Sequence, residues 1–325
     1  MVIMQDNYFD IIIVGGGPIG LACALEASLN NLSYLILEKG CLVNSLYHYP
    51  QNMTFFSSSD RLEIGDIPFV TTLPKPKRSE ALEYYRRIQQ KFKLKINLFE
   101  EVTSIDKTEF GFHTQTVKDS YTSRYVIIAT GFYDIPMQLN IPGEDLDKVK
   151  HYYDDPHYYV NQKVIVVGAS NSSIDAALET FRKGADVTLV IRGKEISPRV
   201  KYWVKPDIEN RIAAGEIRVL YNSTLSKVTQ SHAYIHTPDA EVVLENDFVL
   251  ALTGYQPNFK FLKSVGIHIG EESPCIPEHD PTTMETNVKG LYLAGVVCGG
   301  LNTHLWFIEN SRIHAQQIIT AIKQK

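Results

Sequence analysis

The stretch Ile11-Ile12-Ile13-Val14-Gly15-Gly16-Gly17-Pro18-Ile19-Gly20-Leu21-Ala22-Cys23-Ala24 decides how this chain folds. Four β-branched residues predict a strand apolar on both faces, as in the middle of a parallel sheet, and Leu21 to Ala27 predicts the helix behind it. The glycines between them have separate tasks: Gly15 makes a tight turn, Gly17 lets bare backbone approach a pyrophosphate, and Gly20 brings helix and strand together. The N-terminus of that helix would aim unpaired N–H groups and the positive end of its dipole at the phosphates. The next strand, Tyr34-Leu35-Ile36-Leu37, ends on Glu38, where a carboxylate can accept both hydroxyls of a ribose. An ordinary glycine turn is the competing reading. Strand, helix and acid together favour a dinucleotide site.

A second turn, Gly168-Ala169-Ser170-Asn171-Ser172-Ser173, has the same context with fewer glycines. Lys163-Val164-Ile165-Val166-Val167 reads as a buried strand, Ser172 to Arg182 as a helix, and Asp186 to Ile191 as the following strand. That strand runs into Arg192, with Lys194, Arg199 and Lys201 close behind. A carboxylate there would repel a 2′-phosphate, whereas a guanidinium can grip it with two hydrogen bonds, so this half favours NADPH over NADH. A solvated basic loop is the plainer alternative. Two dinucleotides in one chain point to hydride transfer between a flavin and a nicotinamide, because the chemistry resides in the cofactors and the fold supplies their alignment.

The chain has 325 residues and a formal net charge of −5, which suits two domains and gives no reason to expect nucleic acid. No targeting segment is apparent, and no stretch approaches the ~20 apolar residues needed to span a bilayer. A cytoplasmic enzyme without a membrane partner is expected, with a homo-oligomer as its assembly. None of the histidines shows H-E-x-x-H or C-x-x-C spacing, so no metal site is expected. The basic stretch Leu73-Pro74-Lys75-Pro76-Lys77-Arg78 reads as an exposed loop before a helix from Glu80 to Phe92.

Two later segments make the first domain discontinuous. Tyr125 to Gly131 reads as a buried strand ending in the small-residue turn Ala129-Thr130-Gly131, and Ile141-Pro142-Gly143 then breaks the chain. Gly290 to Gly295 is again a strand with a small-residue end, followed by a helix from about Thr303 to Lys323. The expected class is α/β, with two Rossmann-like dinucleotide-binding domains. Residues 1–143 and 255–325 would form one, and residues 144–254 would be inserted as the other.

These features resemble the two-dinucleotide-binding-domain flavoproteins. Within them the chain resembles, over nearly its whole length, the bacillithiol disulfide reductases, which are thioredoxin-reductase-like. The likeness rests on Tyr49-Pro50, Thr54 to Asp60, Ile64 to Phe69, His151-Tyr152-Tyr153, Ser197-Pro198 with Trp203, Gly254-Tyr255-Gln256-Pro257, Phe261 to Ile267, and Phe307-Ile308-Glu309-Asn310. It implies FAD on Gly15, Gly17, Pro18, Gly20, Glu38, Lys39, Val102, Ala129, Thr130, Gly131, Gly295 and Val296. It implies NADPH on Gly168, Ser170, Asn171, Ser172, Ser173, Arg192 and Gly254. The N-terminus of the last helix would point at the flavin, where its dipole stabilises negative charge on the reduced ring. The implied activity is NADPH-driven reduction of a low-molecular-weight thiol disulfide.

The chain departs from that group at Ile19, where the family is associated with a cysteine. Its four cysteines are Cys23, Cys41, Cys275 and Cys298, with no C-x-x-C pair. Cys23, one turn into the first helix, reads as a small core residue, and Cys298, just after Ala294-Gly295, is the candidate catalytic thiol. Val296 stands where many relatives carry an Asp that binds the flavin ribityl chain. His304 and Glu309, near the start of the last helix, are candidate proton donors or plain helix-start residues. Two other readings stay open: a flavin monooxygenase-like enzyme, and an electron relay or redox sensor of the ferredoxin/flavodoxin-NADP reductase kind.

Overall fold

In the computed structural model, which describes residues 7–325, the first strand runs from Tyr8 to Val14. Parallel partners flank it, Tyr34–Leu37 on one side and Ser120–Ile128 on the other. With neighbours on both edges and packed layers on both faces, Ile11, Ile12 and Ile13 are completely buried, which explains a strand without alternation. The sheet continues outward to Ile96–Asn97 at one end and through the antiparallel strands Gly111–Thr116 and Val102–Thr108 at the other, and Leu291–Leu293 pairs with Ser120–Ile128. Helix Pro18–Leu29 is buried along most of its length, because it packs against the sheet and against helix Ile313–Lys323. Helix Arg78–Phe92 buries Ala81, Tyr84, Tyr85 and Ile88, the i, i+3, i+4, i+7 stripe of an amphipathic helix. Its Tyr84 hydroxyl donates to the Ile67 carbonyl at 2.8 Å and its ring stacks on Phe69, which fastens the segment Ile64–Phe69.

The second unit has a parallel sheet in the order Arg218–Leu220, Asp186–Val190, Lys163–Val167, Phe248–Ala251, Val149–Lys150. Helix Asn171–Arg182 packs on it, and an antiparallel sheet of Thr224–Val228, His232–His236 and Glu241–Glu245 adds to the core.

The chain divides into Met1–Ile135 with Tyr255–Lys325, and Pro136–Gly254. The first crossing therefore precedes the expected boundary at residue 143. Leu139 and Ile141 pack into the second unit's core, and Val228 N–H donates to the Pro142 carbonyl at 2.9 Å. Gly143 has φ +82° and its α-carbon lies so close to the Val228 carbonyl that a Cβ would come within 2.0 Å of it. Pro142-Gly143 is thus a turn inside the second unit, although the same dipeptide reads in sequence as a break between units.

The last helix also differs from expectation. Residues 303–307 form no helix; helical turns run from Ile308 to Ser311 and, after Arg312, from Ile313 to Lys323. Phe307 is extended and the Asn310 side chain accepts its N–H at 2.7 Å, so the helix is capped from inside its own first turn. Among the described residues, no helix is long and apolar enough to cross a membrane.

Candidate functional site

At the first turn, Gly15 has φ +109°, its N–H donates to the Leu37 carbonyl at 2.9 Å, and a Cβ on it would stand 2.5 Å from the Ala129 carbonyl. A Cβ on Gly20 would stand 1.9 Å from the Gly15 carbonyl, so only glycine permits this closeness of helix and strand. Gly17, the N-cap of the helix, differs from both: nothing lies within 4 Å of where its Cβ would be. The backbone there faces open space next to a helix N-terminus with no side-chain cap, a cradle that fits a pyrophosphate.

Glu38 is buried, and its two carboxylate oxygens accept from Gly16 N–H at 2.6 Å and Gly40 N–H at 2.8 Å. Burial raises its pKa and those two N–H groups counteract the rise. Each oxygen keeps a second lone pair that can accept a ribose hydroxyl. Lys39 is paired with Asp134 at 2.9 Å, and Val102 opens a strand. Ala129 N–H donates to the Val14 carbonyl at 2.8 Å, Gly131 has φ +72°, and between them the Thr130 hydroxyl is buried with no partner among the described residues. An unpartnered buried hydroxyl beside the turn fits a polar ligand in that place.

At the second turn the backbone is similar. Gly168 has φ +135°, donates to the Val190 carbonyl at 3.1 Å, and has no room for a Cβ because the Leu252 carbonyl would lie 2.6 Å away. Ser170 is extended and caps helix Asn171–Arg182. Ser173 points inward: its hydroxyl accepts from Ser170 N–H at 3.1 Å and donates to the Ser170 carbonyl at 2.9 Å. Ser172 and Arg192 are exposed, and Gly254, with φ +106°, faces open space. Lys201 does not share the exposure of Arg192, Lys194 and Arg199; its ammonium is buried against Asp175 at 2.7 Å.

A family model described as pyridine nucleotide-disulphide oxidoreductase matches residues 12–295, from the first strand to the end of the late one. The chain belongs to this family. It is an oxidoreductase with a thioredoxin-reductase-like fold, and the family uses FAD and NAD(P)H. Bacilliredoxin reductase Bdr of Bacillus subtilis (strain 168) is 43% identical over 316 residues, 97% of each chain. The solved Bacillithiol Disulfide Reductase Bdr from Staphylococcus aureus superposes with a TM-score of 0.96 at 39% identity, covering 98% of this chain and 99% of that one. A thioredoxin reductase of T. acidophilum, at TM-score 0.79 and 21% identity, shares the fold.

For a disulphide oxidoreductase the thiols matter, and Cys298 is the one expected to react. It lies in the turn Gly295–Gly299 at 1% exposure, and burial holds its thiol well above the usual range. Cys23 is equally enclosed, its pKa pushed up to about 12 by burial and then by the Glu26 charge. Burial and a raised pKa both lower the reactivity of a thiol, and in this state the two side chains pack as small apolar groups. Cys41 and Cys275 are half-buried. Ile19 packs against the late turn, where its side chain would lie 3.3 Å from a Cβ on Gly295.

The residue that sequence reasoning missed is His314. Its ring is buried, its Nδ1 accepts from Gly295 N–H at 3.1 Å, and Cys298 Sγ lies 3.9 Å away. Because Nδ1 is the acceptor, the proton of the neutral ring is on Nε2. Burial, and then the nearby His279, lower its pKa to about 4. It holds the Gly295-Val296 turn, and nothing in the spacing of residues 295 and 314 announces that contact. Of the two helix-start candidates, His304 is exposed and Glu309 keeps one buried carboxylate oxygen without a partner among the described residues.

Proposed function

We propose that this chain is an NADPH-dependent flavoprotein reducing a low-molecular-weight thiol disulfide of the bacillithiol type. The observation that carries the reading is the 43% identity to Bacilliredoxin reductase Bdr over 97% of the chain, which spans both nucleotide turns. In this reading FAD lies on the first turn, its pyrophosphate over Gly17 and the uncapped helix at Pro18, its ribose on Glu38. Lys39, Val102, the Ala129-Thr130-Gly131 turn and Gly295-Val296 border the rest. NADPH lies on Gly168, Ser170, Asn171 and Ser172, with Gly254 opposite and Arg192 on the 2′-phosphate; Ser173 closes the turn from within. FAD held there would supply hydride chemistry: two electrons from NADPH, together with its hydride proton and one proton from solvent, would convert a disulfide into two thiols. The chain's own part is to orient and to neutralise charge. Open backbone at Gly17 with a helix dipole suits the pyrophosphate, and an exposed guanidinium suits a dianion. Ile19 and the burial of Cys298 favour electron delivery that uses no thiol of the turn.

Anaerobic reduction of the holoprotein with NADPH, followed by mixing with separate acceptors, tests the proposal. Bleached flavin absorbance should recover at a catalytic rate with bacillithiol disulfide. Recovery only with ferredoxin or flavodoxin would replace the reading by an electron relay. Recovery only with dioxygen, coupled to oxygenation of a substrate, would replace it by a monooxygenase.

A further inference from the structure

Segment 191–201 carries Arg192, Lys194 and Arg199, and it is fastened at both ends. At its start, Ser223 N–H donates to the Ile191 carbonyl at 3.0 Å and Asn222 N–H to the Gly193 carbonyl at 2.9 Å. Ile196 and Val200 are buried in the second unit's core. At its end, four tethers run to the nucleotide turn and its helix. Ser197 N–H donates to the Ala169 carbonyl at 2.9 Å. The Asn171 side chain donates to the Arg199 carbonyl at 3.2 Å and accepts from Lys201 N–H at 2.9 Å. The Lys201 ammonium reaches Asp175 at 2.7 Å.

We infer that Asn171, Lys201 and Asp175 are positioning residues for coenzyme choice, stitching the basic segment to the nucleotide turn so that its exposed cations meet a 2′-phosphate without first being ordered. The inference rests on the proposed NADPH reading. Long cationic side chains on a free loop lose conformational entropy when they bind an anion, and a segment already fixed loses less. Lys201 contributes this way and not as a phosphate ligand, because its charge is spent on Asp175. Coenzyme without the 2′-phosphate makes no use of the segment and should be nearly indifferent to the stitches.

The sign of one substitution separates this from simple electrostatics. Asp175→Asn removes a negative charge near the proposed phosphate site, so through-space attraction alone would tighten 2′-phosphate binding. The stitch requires it to weaken. Calorimetric titration of the holoprotein with 2′,5′-ADP and with 5′-AMP should find that Asp175→Asn and Lys201→Met each weaken 2′,5′-ADP about five- to tenfold and 5′-AMP less than about twofold. Lys201→Arg, which keeps the ion pair, should restore most of the loss and guards against misfolding as the explanation. Tighter or unchanged 2′,5′-ADP binding by Asp175→Asn would overturn the inference. Arg192→Ala is the control for the underlying reading: if it leaves 2′,5′-ADP binding unchanged, the NADPH assignment itself fails. If it weakens binding about ten- to a hundredfold, as loss of a charge-assisted contact should, while the two stitch variants do not, only the stitch fails.

Discussion

The two nucleotide turns reach the same backbone path by opposite chemistry. Gly15 and Gly168 both have positive φ, both donate to the carbonyl that ends the next strand, Leu37 or Val190, and both sit under a carbonyl of the other neighbour, Ala129 or Leu252. At the third glycine place of the motif they part. The first turn has Gly20, where any side chain would strike the Gly15 carbonyl. The second has Ser173, whose hydroxyl bonds both the N–H and the carbonyl of Ser170. One turn is made by leaving atoms out, the other by adding a hydroxyl that takes over backbone hydrogen bonds. Tolerance to substitution should differ accordingly.

Gly20→Ala should have the largest effect. A Cβ 1.9 Å from a carbonyl oxygen cannot be relieved by a rotamer, so helix and strand must separate in the middle of a buried layer, at a cost above about 3 kcal/mol. Ser173→Ala removes the hydroxyl that bonds back to the Ser170 cap while the helix keeps its place, which should cost about 1 kcal/mol. Melting temperature and flavin content of the two purified variants check this. Full flavin occupancy in Gly20→Ala, or a larger loss in Ser173→Ala, would break the comparison.

The same contrast explains what was legible in the sequence. The first turn was readable because each glycine answers to a local geometry and because strand, helix and Glu38 follow in order. The second was readable from context, but Ser173 was expected beside the coenzyme, and its inward hydroxyl depends on which rotamer closes the turn. Local reading failed where long-range packing decides. Pro142-Gly143 breaks the chain in sequence, yet the Val228 carbonyl, from a distant strand, makes it an internal turn. Asn310 starts the last helix later than Thr303 would suggest. Cys298 follows a small-residue turn that suggests access, and only the packing of the late turn buries it. His314 has no sequence signal, since its partner Gly295 belongs to another element.

His314 gives the second effect and places it in the first unit. Its pKa falls from an ordinary 6.5 to about 4 on folding, so the folded ring stays neutral where the unfolded one takes up a proton. The stability it contributes is therefore complete above pH 6.5 and is lost as pH falls from 6.5 toward 4, by up to about 3 kcal/mol. No further loss from this group is expected below that range. Urea midpoints followed by flavin release should fall across this interval. His314→Gln, whose carbonyl can accept the Gly295 N–H without titrating, should flatten the slope. The turn of the second unit has no such histidine, so a probe placed there should register less of the loss. An unchanged slope in His314→Gln would remove the ring from the account.

The smallest effect is expected at the thiols, and it asks whether the first turn does more than bind. Ile19 fills the place where the resemblance would put a cysteine, and it packs on Gly295 beside a buried Cys298. If electrons leave the flavin without a protein thiol, Cys298→Ser should change NADPH oxidation with ferricyanide and with bacillithiol disulfide equally, each by less than about fivefold, the factor that matches the ~1 kcal/mol of a single neutral hydrogen bond. Removing Cys23, Cys41, Cys275 and Cys298 together should still leave NADPH-dependent reduction of a quinone. If the route is instead a mixed disulfide, Cys298→Ser would abolish turnover with the disulfide and spare ferricyanide, because a serine hydroxyl does not replace a thiolate at neutral pH. That outcome would also require the buried thiol to become exposed during turnover. Alkylation of the resting enzyme should label Cys41 and Cys275, which are half-buried, and reach Cys23 and Cys298 only after unfolding. Quenching during turnover and weighing the protein decides between the routes: no substrate adduct should be found on any of the four cysteines, and a single trapped adduct would assign the thiol that the first turn lacks.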